Sequence, residues 1–190
     1  MSNPRPSIDV AVVMRREPVV GAMSRWQAWR WVLADVLPQE EAFGTEPRLL
    51  FKSETEERWL HPAQRVELFS DDGEGYYLNA TTDAPCWFVH WRMEEEATVA
   101  DAPIARVQAV SLSYHDAGRW LDAQELVDQV PAAPEVVQWL TEFASAHFQP
   151  EPKRRKRPES FKPLTDRFGN PASVSTGRVE RGGQQGGGHG

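Results

Sequence analysis

The stretch Pro85-Cys-Trp-Phe-Val-His-Trp-Arg92 carries the strongest strand signal in the chain and decides the fold class. Aromatic and β-branched residues of this kind favour extended backbone. The apolar residues follow one another without alternating with polar ones, which predicts a strand that is covered on both faces. We therefore expect this segment to lie in the interior of a β-rich domain.

Further short runs of β-branched, aromatic and alternating residues predict more strands. The candidates are Ile8–Met14, the second half of Arg25–Leu37, Arg48–Lys52, Arg58–His61, Arg65–Phe69, Tyr76–Ala80, Ala105–Tyr114 and Leu126–Val130. One alternative is a helix through residues 25–37, since Trp26, Trp29 and Leu33 fit a helical stripe. The alternation of Trp29, Trp31 and Leu33 favours a strand there.

A hairpin is predicted around the acidic, glycine-containing segment Ser70-Asp-Asp-Gly-Glu-Gly75. This segment separates the strand candidates Arg65–Phe69 and Tyr76–Ala80. Glycine adopts the positive φ angles that tight turns between strands require. We therefore expect an antiparallel pair here.

The apolar periodicity changes near the end of the domain. Asp116–Ala123 fits a short helical turn with Asp116 as N-cap. Pro134–Phe148 reads as an amphipathic helix, with Pro134 at its first position and Pro150 stopping it. The expected class is mainly β (α+β), with about seven mostly antiparallel strands in a curved sheet or partial barrel and one C-terminal helix.

Charge divides the 190 residues into two parts with opposite sign. Residues 1–150 hold 12 Lys and Arg against 24 Asp and Glu, a balance of −12, and residues 151–190 hold 9 against 4, a balance of +5. An acidic body repels phosphate, so nucleic-acid binding is expected only through the tail. The expected organisation is a flexible lead-in (1–7), a single β-rich domain (8–149) and a disordered, basic, glycine-rich tail (150–190).

Targeting and redox signals point to the cytoplasm. The first residues lack the charged and apolar regions of a signal peptide. No run approaches the roughly 18 apolar residues that a membrane helix needs, so no membrane contact is expected. The lone Cys86 excludes an internal disulfide and any multi-cysteine metal site made by this chain alone.

No catalytic, metal-binding or cofactor-binding residue is predicted. Cys86 and His90 share a strand face but stand roughly 13 Å apart at about 3.3 Å per residue, which is too far for a Cys–His pair. An enzyme would need His90 or His115 to meet an acid in the fold, and the linear sequence gives no argument for that. The chain also lacks a glycine-rich phosphate loop and a Gly-x-Ser-x-Gly elbow.

Eight tryptophans supply either a core of large rings or, where strand faces stay uncovered, a contact surface for a protein partner. The residues that we expect to form such a surface are Trp29, Arg30, Trp31, Trp91, Arg92 and Arg119. A basic cluster forms a candidate charge tether for an acidic partner, a phosphate or nucleic acid, and is equally typical of a solubilising tail. Its members are Lys153, Arg154, Arg155, Lys156 and Arg157.

Three stretches together carry a family resemblance: Met23-Ser-Arg-Trp-Gln-Ala-Trp-Arg-Trp31, Tyr77-Leu-Asn-Ala-Thr-Thr-Asp-Ala-Pro-Cys-Trp-Phe-Val-His-Trp-Arg-Met93 and Leu112-Ser-Tyr-His-Asp-Ala-Gly-Arg-Trp-Leu-Asp122. They resemble the bacterial domain-of-unknown-function family 3305 over about residues 8–148, with the tail outside. Members of that family are often encoded beside genes for molybdenum-dependent formate dehydrogenase and its maturation proteins. Some carry a label as molybdenum-cofactor guanylyltransferases, but this chain lacks the lysine-bearing glycine-rich loop that holds phosphates in such enzymes.

The resemblance implies a non-enzymatic accessory protein for maturation or assembly of formate dehydrogenase, with a dehydrogenase subunit or a maturation factor as its partner. It supplies no catalytic residues. The alternative is a small-ligand-binding or regulatory module of barrel-like shape. A solid core with an exposed aromatic patch would favour the first function, and a large cavity with converging polar groups would favour the second.

Overall fold

The computed structural model describes residues 5–152, and the unit that contains the fold ends at Pro150. Seven β-strands and three α-helices follow one another along this part of the chain. The strands are β1 (Ser7–Pro18), β2 (Trp29–Pro38), β3 (Arg48–Lys52), β4 (Glu57–Glu67), β5 (Cys86–Met93), β6 (Ala105–Ser111) and β7 (Leu126–Pro131). The helices are α1 (Gly73–Ala80), α2 (Tyr114–Asp122) and α3 (Pro134–His147).

The strands form two antiparallel sheets that pack on each other. The first sheet has the order β2-β1-β4-β3 and the second has the order β6-β5-β7. The expected class, mainly β with seven antiparallel strands, is confirmed. The strands form two sheets where one curved sheet or partial barrel was expected, and they do not close into a barrel, because β5 pairs with β6 and β7 and packs its inner face on the first sheet.

Strand β5 is covered on both faces, as its unbroken apolar run predicts. On one face, Val89 packs with Val12 and Met14 of β1. On the other face, Phe88 packs with Ala117 of α2. All residues from Cys86 to Trp91 are therefore buried.

The prediction of one helix is wrong, and so is the hairpin around residues 70–75. Residues 70–72 form a 3-10 turn that leads directly into α1, so Tyr76–Ala80 is helical. The glycines serve close packing instead of a turn. A Cβ on Gly75 would lie 2.4 Å from Ser113 Oγ, and one on Gly73 would lie 3.0 Å from the carbonyl carbon of His147.

Helix α2 begins earlier than the sequence predicts. The side chain of Ser113 accepts hydrogen bonds from the backbone N–H groups of His115 (3.1 Å) and Asp116 (3.3 Å). Ser113 is therefore the N-cap, and the expectation that Asp116 caps a short turn is wrong. Helix α3 does begin at Pro134, which occupies its first turn as predicted.

Strand β4 joins the candidate Arg58–His61 and the first three residues of the candidate Arg65–Phe69 into one element with a bulge. The pairing with β1 shifts around Pro62, which breaks the regular ladder. Ala63 adopts a φ of 57°, and its N–H donates to Gln39 Oε1 at 2.8 Å. Because this bulge satisfies the displaced backbone group, the strand continues past the proline.

The core lies between the sheets and extends under two helices. Its largest cluster joins both sheets to α1 and α3 through Val10, Leu68, Tyr76, Trp87 and Leu140. Strand β6 contacts β4 and β7 contacts β2, so β3 lies beyond the area that the second sheet covers. No helix within residues 5–152 is long and apolar enough to span a membrane.

Candidate functional site

The loop between β1 and β2, residues 19–28, presents the most exposed large apolar side chains of the described residues. We call it the hairpin apex. Val20 is 90% exposed, Met23 is 63% exposed and Trp26 is 86% exposed. Large apolar groups that stay in water while the rest of the chain buries its own are typical of a contact surface.

Local hydrogen bonds hold the hairpin apex in one shape. Val19 N–H donates to the Ala28 carbonyl oxygen at 2.9 Å and closes the loop. Ser24 Oγ donates to the Gly21 carbonyl oxygen at 2.6 Å, beside the 3-10 turn Ala22–Arg25. Gly21 adopts a φ of 92°, which glycine tolerates without strain. The exposed side chains therefore project from an ordered backbone.

The base of the hairpin is fixed by an arginine that makes two contacts. The Arg16 guanidinium lies 4.4 Å from the centre of the Trp29 ring. The same group donates to Glu57 Oε2 at 3.2 Å. Glu57 also accepts a hydrogen bond from Trp59 Nε1 at 2.7 Å. Trp29, one of the expected contact residues, is therefore half-buried under Arg16.

Arg30, the second expected contact residue, is exposed but paired. Its Nε and Nη2 atoms donate to Glu17 Oε1 at 2.9 and 2.6 Å. This hydrogen bond is the main reason that the pKa of Glu17 lies below its usual range, and Arg15 adds to it. Arg30 and Glu17 face solvent beside the hairpin apex.

Trp31 and Trp91 come together, but in the core. Trp91 is 7% exposed, and Trp31 packs against the cluster to which it belongs. Trp91 Nε1 donates to Asp128 Oδ2 at 3.2 Å, and the same oxygen accepts from the backbone N–H of Leu33 at 3.1 Å. Asp128 thereby links β7 to β2 of the other sheet.

Arg92 and Arg119, the remaining expected contact residues, lie on separate elements. Arg92 Nε donates to Glu125 Oε2 at 2.8 Å, and His90 Nε2 lies 3.0 Å from the same oxygen. The pairing with Arg92 is the main cause that lowers the pKa of Glu125 to about 2. Arg119 pairs within α2 with Asp116. The basic cluster Lys153–Arg157 lies outside the described residues.

Sequence reasoning counted Trp26 among the aromatic residues but did not select it or its neighbours Val20 and Met23. The signal was present: the loop segment Val19-Val-Gly-Ala-Met23 is apolar although loops are normally polar. An apolar segment that can join neither a strand nor a helix has no ordinary structural use. Its exposure is the feature that sets this loop apart.

A second site is a cleft of about 420 Å³ where α2 meets the turn before α1. His115 Nδ1 lies 2.8 Å from Asp72 Oδ1. The cleft is lined by Phe69, Asp71, Asp72, His115, Asp116 and Arg119. This pair and His90–Glu125 are the histidine–carboxylate contacts that the linear sequence could not predict.

The cleft has a hydrogen-bonded wall. Ser111 Oγ donates to Asp116 Oδ2 at 2.6 Å, and Ser113 Oγ accepts the two N-cap bonds of α2. Neither hydroxyl forms a hydrogen bond with the imidazole of His115, as a nucleophile would. Within residues 5–152, no group of three or more His, Cys, Asp or Glu side chains has the geometry to hold a metal ion.

Cys86, the first residue of β5, is buried. It is 9% exposed, and burial raises the pKa of its thiol. Its sulfur lies 3.7 Å from Gln129 Oε1 and 3.9 Å from Asn79 Oδ1. A buried thiol with a raised pKa is a poor nucleophile at neutral pH, so Cys86 serves packing.

The fold and its surfaces define a two-sheet α+β domain with an exposed apolar loop. In a comparison with known families, residues 9–157 match one described as "Protein of unknown function (DUF3305)", and the chain belongs to that family. The match includes residues 153–157, which the resemblance in the sequence had left outside. Searches of curated proteins and of solved structures returned no match.

Proposed function

We propose that this chain is a non-catalytic accessory protein that binds a protein partner through its hairpin apex. The observation that carries the proposal is the exposure of Val20, Met23 and Trp26 on an ordered loop. Tryptophan is among the residues that contribute most to binding energy in protein interfaces. A loop that is already ordered loses less conformational entropy when it binds.

The apex also has a charge preference. Arg25 ends the 3-10 turn within the apex, whereas the charge of Arg30 at the base of the hairpin is already paired with Glu17. An apolar centre with a basic residue beside it fits a partner surface with an apolar pocket and an acidic rim. The Arg16–Trp29 contact stiffens the base, so the apex can insert without reorganisation.

For the identity of the partner, we propose a subunit of a molybdenum-containing formate dehydrogenase or one of its maturation factors. Support comes from the resemblance to a family whose members are often encoded beside the genes for that enzyme. The proposal is therefore maturation or assembly of the dehydrogenase by protein–protein binding.

The test is affinity capture from a lysate of the organism that encodes the chain, with the tagged full-length protein as bait. Trp26→Glu combined with Val20→Glu replaces two exposed apolar side chains and should abolish capture of dehydrogenase-related proteins. Leu121→Glu is the matched control, since Leu121 is 58% exposed and belongs to α2 instead of the apex. Thermal unfolding of all variants verifies that they fold.

Two results would contradict the proposal. Wild-type bait that captures no dehydrogenase subunit or maturation factor removes the proposed partner. Equal capture of such a protein by wild type and the apex variant removes the apex as the binding site.

A second candidate function is binding or acid–base conversion of a small molecule in the cleft at His115. The favouring observation is the 2.8 Å contact with Asp72, which would orient the imidazole. A p-nitrophenyl ester is a simple probe, since its hydrolysis needs only a general base. Purified wild type that hydrolyses it no faster than His115→Asn eliminates the acid–base form of this candidate.

A further inference from the structure

Strand β3 is an edge strand of the first sheet, with a bulge at Leu50. It pairs with β4 on one side and has no neighbour on the other side within residues 5–152. All five of its residues are exposed, including Leu49 (43%), Leu50 (47%) and Phe51 (49%). Proteins normally protect such edges, because unpaired backbone groups beside apolar side chains recruit further strands.

A basic residue lies at each end of the three apolar residues 49–51. Arg48 begins the strand and Lys52 ends it. Neither side chain pairs with a carboxylate in the described part of the chain; Arg48 Nη1 donates only to the Ala42 carbonyl oxygen at 3.3 Å. Arg48 also lies 5.9 Å from the centre of the Phe43 ring, and Lys52 lies opposite Glu57 of β4, but neither cation forms an ion pair within residues 5–152.

A cleft of about 410 Å³ adjoins this edge. Its lining includes Leu49 and Lys52 of β3, Trp59 of β4, and Val99 and Asp101 from the loop between β5 and β6. Val99 is itself 42% exposed. A side chain that enters beside Leu49 would find an apolar contact in Val99.

We propose that β3 binds an extended segment of a partner protein by strand addition, and that this segment has an apolar centre with carboxylates on both sides. Main-chain hydrogen bonds to the open edge give affinity, and the cleft beside Leu49 takes one side chain of the added strand. Arg48 and Lys52 select the acidic flanks.

A second copy of this chain does not fit the edge. Antiparallel pairing of two β3 strands around Leu50 places Arg48 opposite Lys52 of the other copy. Parallel pairing in register places each cation beside its equivalent. Like charges directly opposite on neighbouring strands are destabilising, so the charges oppose self-pairing and favour an acidic partner.

The experiment uses the full-length chain and two fluorescein-labelled peptides of the same length. The acidic probe is Glu-Asp-Val-Leu-Val-Ile-Asp-Glu, and the control probe is Lys-Arg-Val-Leu-Val-Ile-Arg-Lys. Fluorescence anisotropy should show tighter binding of the acidic probe. Hydrogen exchange should show slower exchange of the backbone amides of residues 48–52 when that probe is bound.

Charge reversal provides the decisive variant. Arg48→Glu with Lys52→Glu should weaken binding of the acidic probe by about tenfold, because two exposed ion pairs are lost. The same variant should gain affinity for the basic probe. The apex variant Trp26→Glu with Val20→Glu should bind the acidic probe like wild type, which separates this site from the one proposed above.

Three outcomes would overturn the inference. The first is equal or weaker binding of the acidic probe relative to the basic one. The second is amide protection that lies outside β3. The third is a dimer in sedimentation that the charge reversal alters, which would assign the edge to a second copy of the chain.

Discussion

The guanidinium of Arg16 lies 4.4 Å from the centre of the Trp29 ring and ties the base of the β1–β2 hairpin to β4 through Glu57. Glu57 is 8% exposed, so its carboxylate depends on this partner and on the Trp59 N–H. One side chain thus connects three neighbouring strands, β2, β1 and β4. The exposed hairpin apex extends from the base that these contacts of Arg16 hold together.

Replacement of Arg16 should therefore destabilise the domain. Arg16→Met keeps the apolar stem but leaves the Glu57 carboxylate in a buried position with one donor. We expect the free energy of unfolding to fall by about 2 kcal/mol. Urea denaturation followed by tryptophan fluorescence measures the change. Arg65→Met is the control, and because Arg65 is exposed, a loss as large there would contradict this account.

Gly75 and Gly118 offer a matched pair of substitutions. Gly75→Ala places a Cβ 2.4 Å from Ser113 Oγ and 2.5 Å from Asp72 Oδ1, so it should cost about 2 kcal/mol of unfolding free energy. Gly118→Ala meets nothing within 4 Å inside α2 and should stabilise by about 0.5–1 kcal/mol. Opposite signs in thermal melts are expected. Equal changes in melting temperature for the two variants would mean that α1 can move away from α2 without loss of stability.

Asn79 holds α1 against the start of β5 and the end of β6. Its Nδ2 donates to the carbonyl oxygens of Cys86 and Leu112, both at 2.8 Å, and its Oδ1 accepts from the Cys86 N–H at 3.1 Å. Asn79→Ala leaves these buried groups unpaired and should cost about 3 kcal/mol. Chemical denaturation measures the loss. The exposed Gln138→Ala should change stability by less than about 0.5 kcal/mol.

His61 should make stability depend on pH. It is 2% exposed, and burial is the main cause that lowers its pKa from 6.5 to about 4, with Arg106 adding to the effect. The imidazole of His61 therefore becomes protonated near pH 6.5 in the unfolded chain but only near pH 4 in the folded chain. The free energy of unfolding should fall by about 3 kcal/mol as the pH drops through this window.

The comparison with His61→Leu isolates this contribution from the other titrating groups. Both proteins are denatured with urea at a series of pH values, and the difference between their curves is taken. The free energy of unfolding of wild type should increase relative to that of His61→Leu as the pH rises toward neutral. A constant difference would mean that His61 titrates alike in both states, and an imidazole NMR titration would read its pKa directly.

Sequence pattern predicted the strands where local preference and burial agree. Alternation identified Trp29–Leu33 as strand despite a competing helical stripe, and an unbroken apolar run identified β5. Pro134 marked the start of α3 because its fixed φ suits a first helical turn. These signals are contained in a few neighbouring residues.

The wrong predictions concern residues whose structural role depends on contacts with parts of the chain that are distant in the sequence. Gly73 and Gly75 look like turn glycines, but they are glycines because α3 and α2 pass too close for a Cβ. Likewise, Arg58–His61 and Arg65–Phe69 were predicted as separate strands, but β4 runs through the bulge between them, where the Ala63 N–H donates to Gln39 Oε1. Such reasons depend on tertiary contacts that composition and spacing do not contain.

The candidate site divides in the same way. Aromatic and arginine side chains were recognised as surface candidates, but the pairing of Arg30 with Glu17 and of Arg92 with Glu125 could not be read from spacing, in contrast to the i,i+3 pair of Asp116 and Arg119 in α2. Trp91 was expected to be exposed and is buried. Trp91 is buried in the cluster between the two sheets, whereas Trp26 lies in the loop between β1 and β2 and stays 86% exposed.

The two sheets also occupy successive parts of the chain, since all strands of the first end by Glu67 and all strands of the second begin at Cys86 or later. During synthesis, the first sheet can pair while the residues that cover it are still inside the ribosome. Until β5 emerges, the inner side chains of Met14 and Trp59 face water. We expect the nascent chain to be most prone to aggregation, and most dependent on chaperones, during that interval.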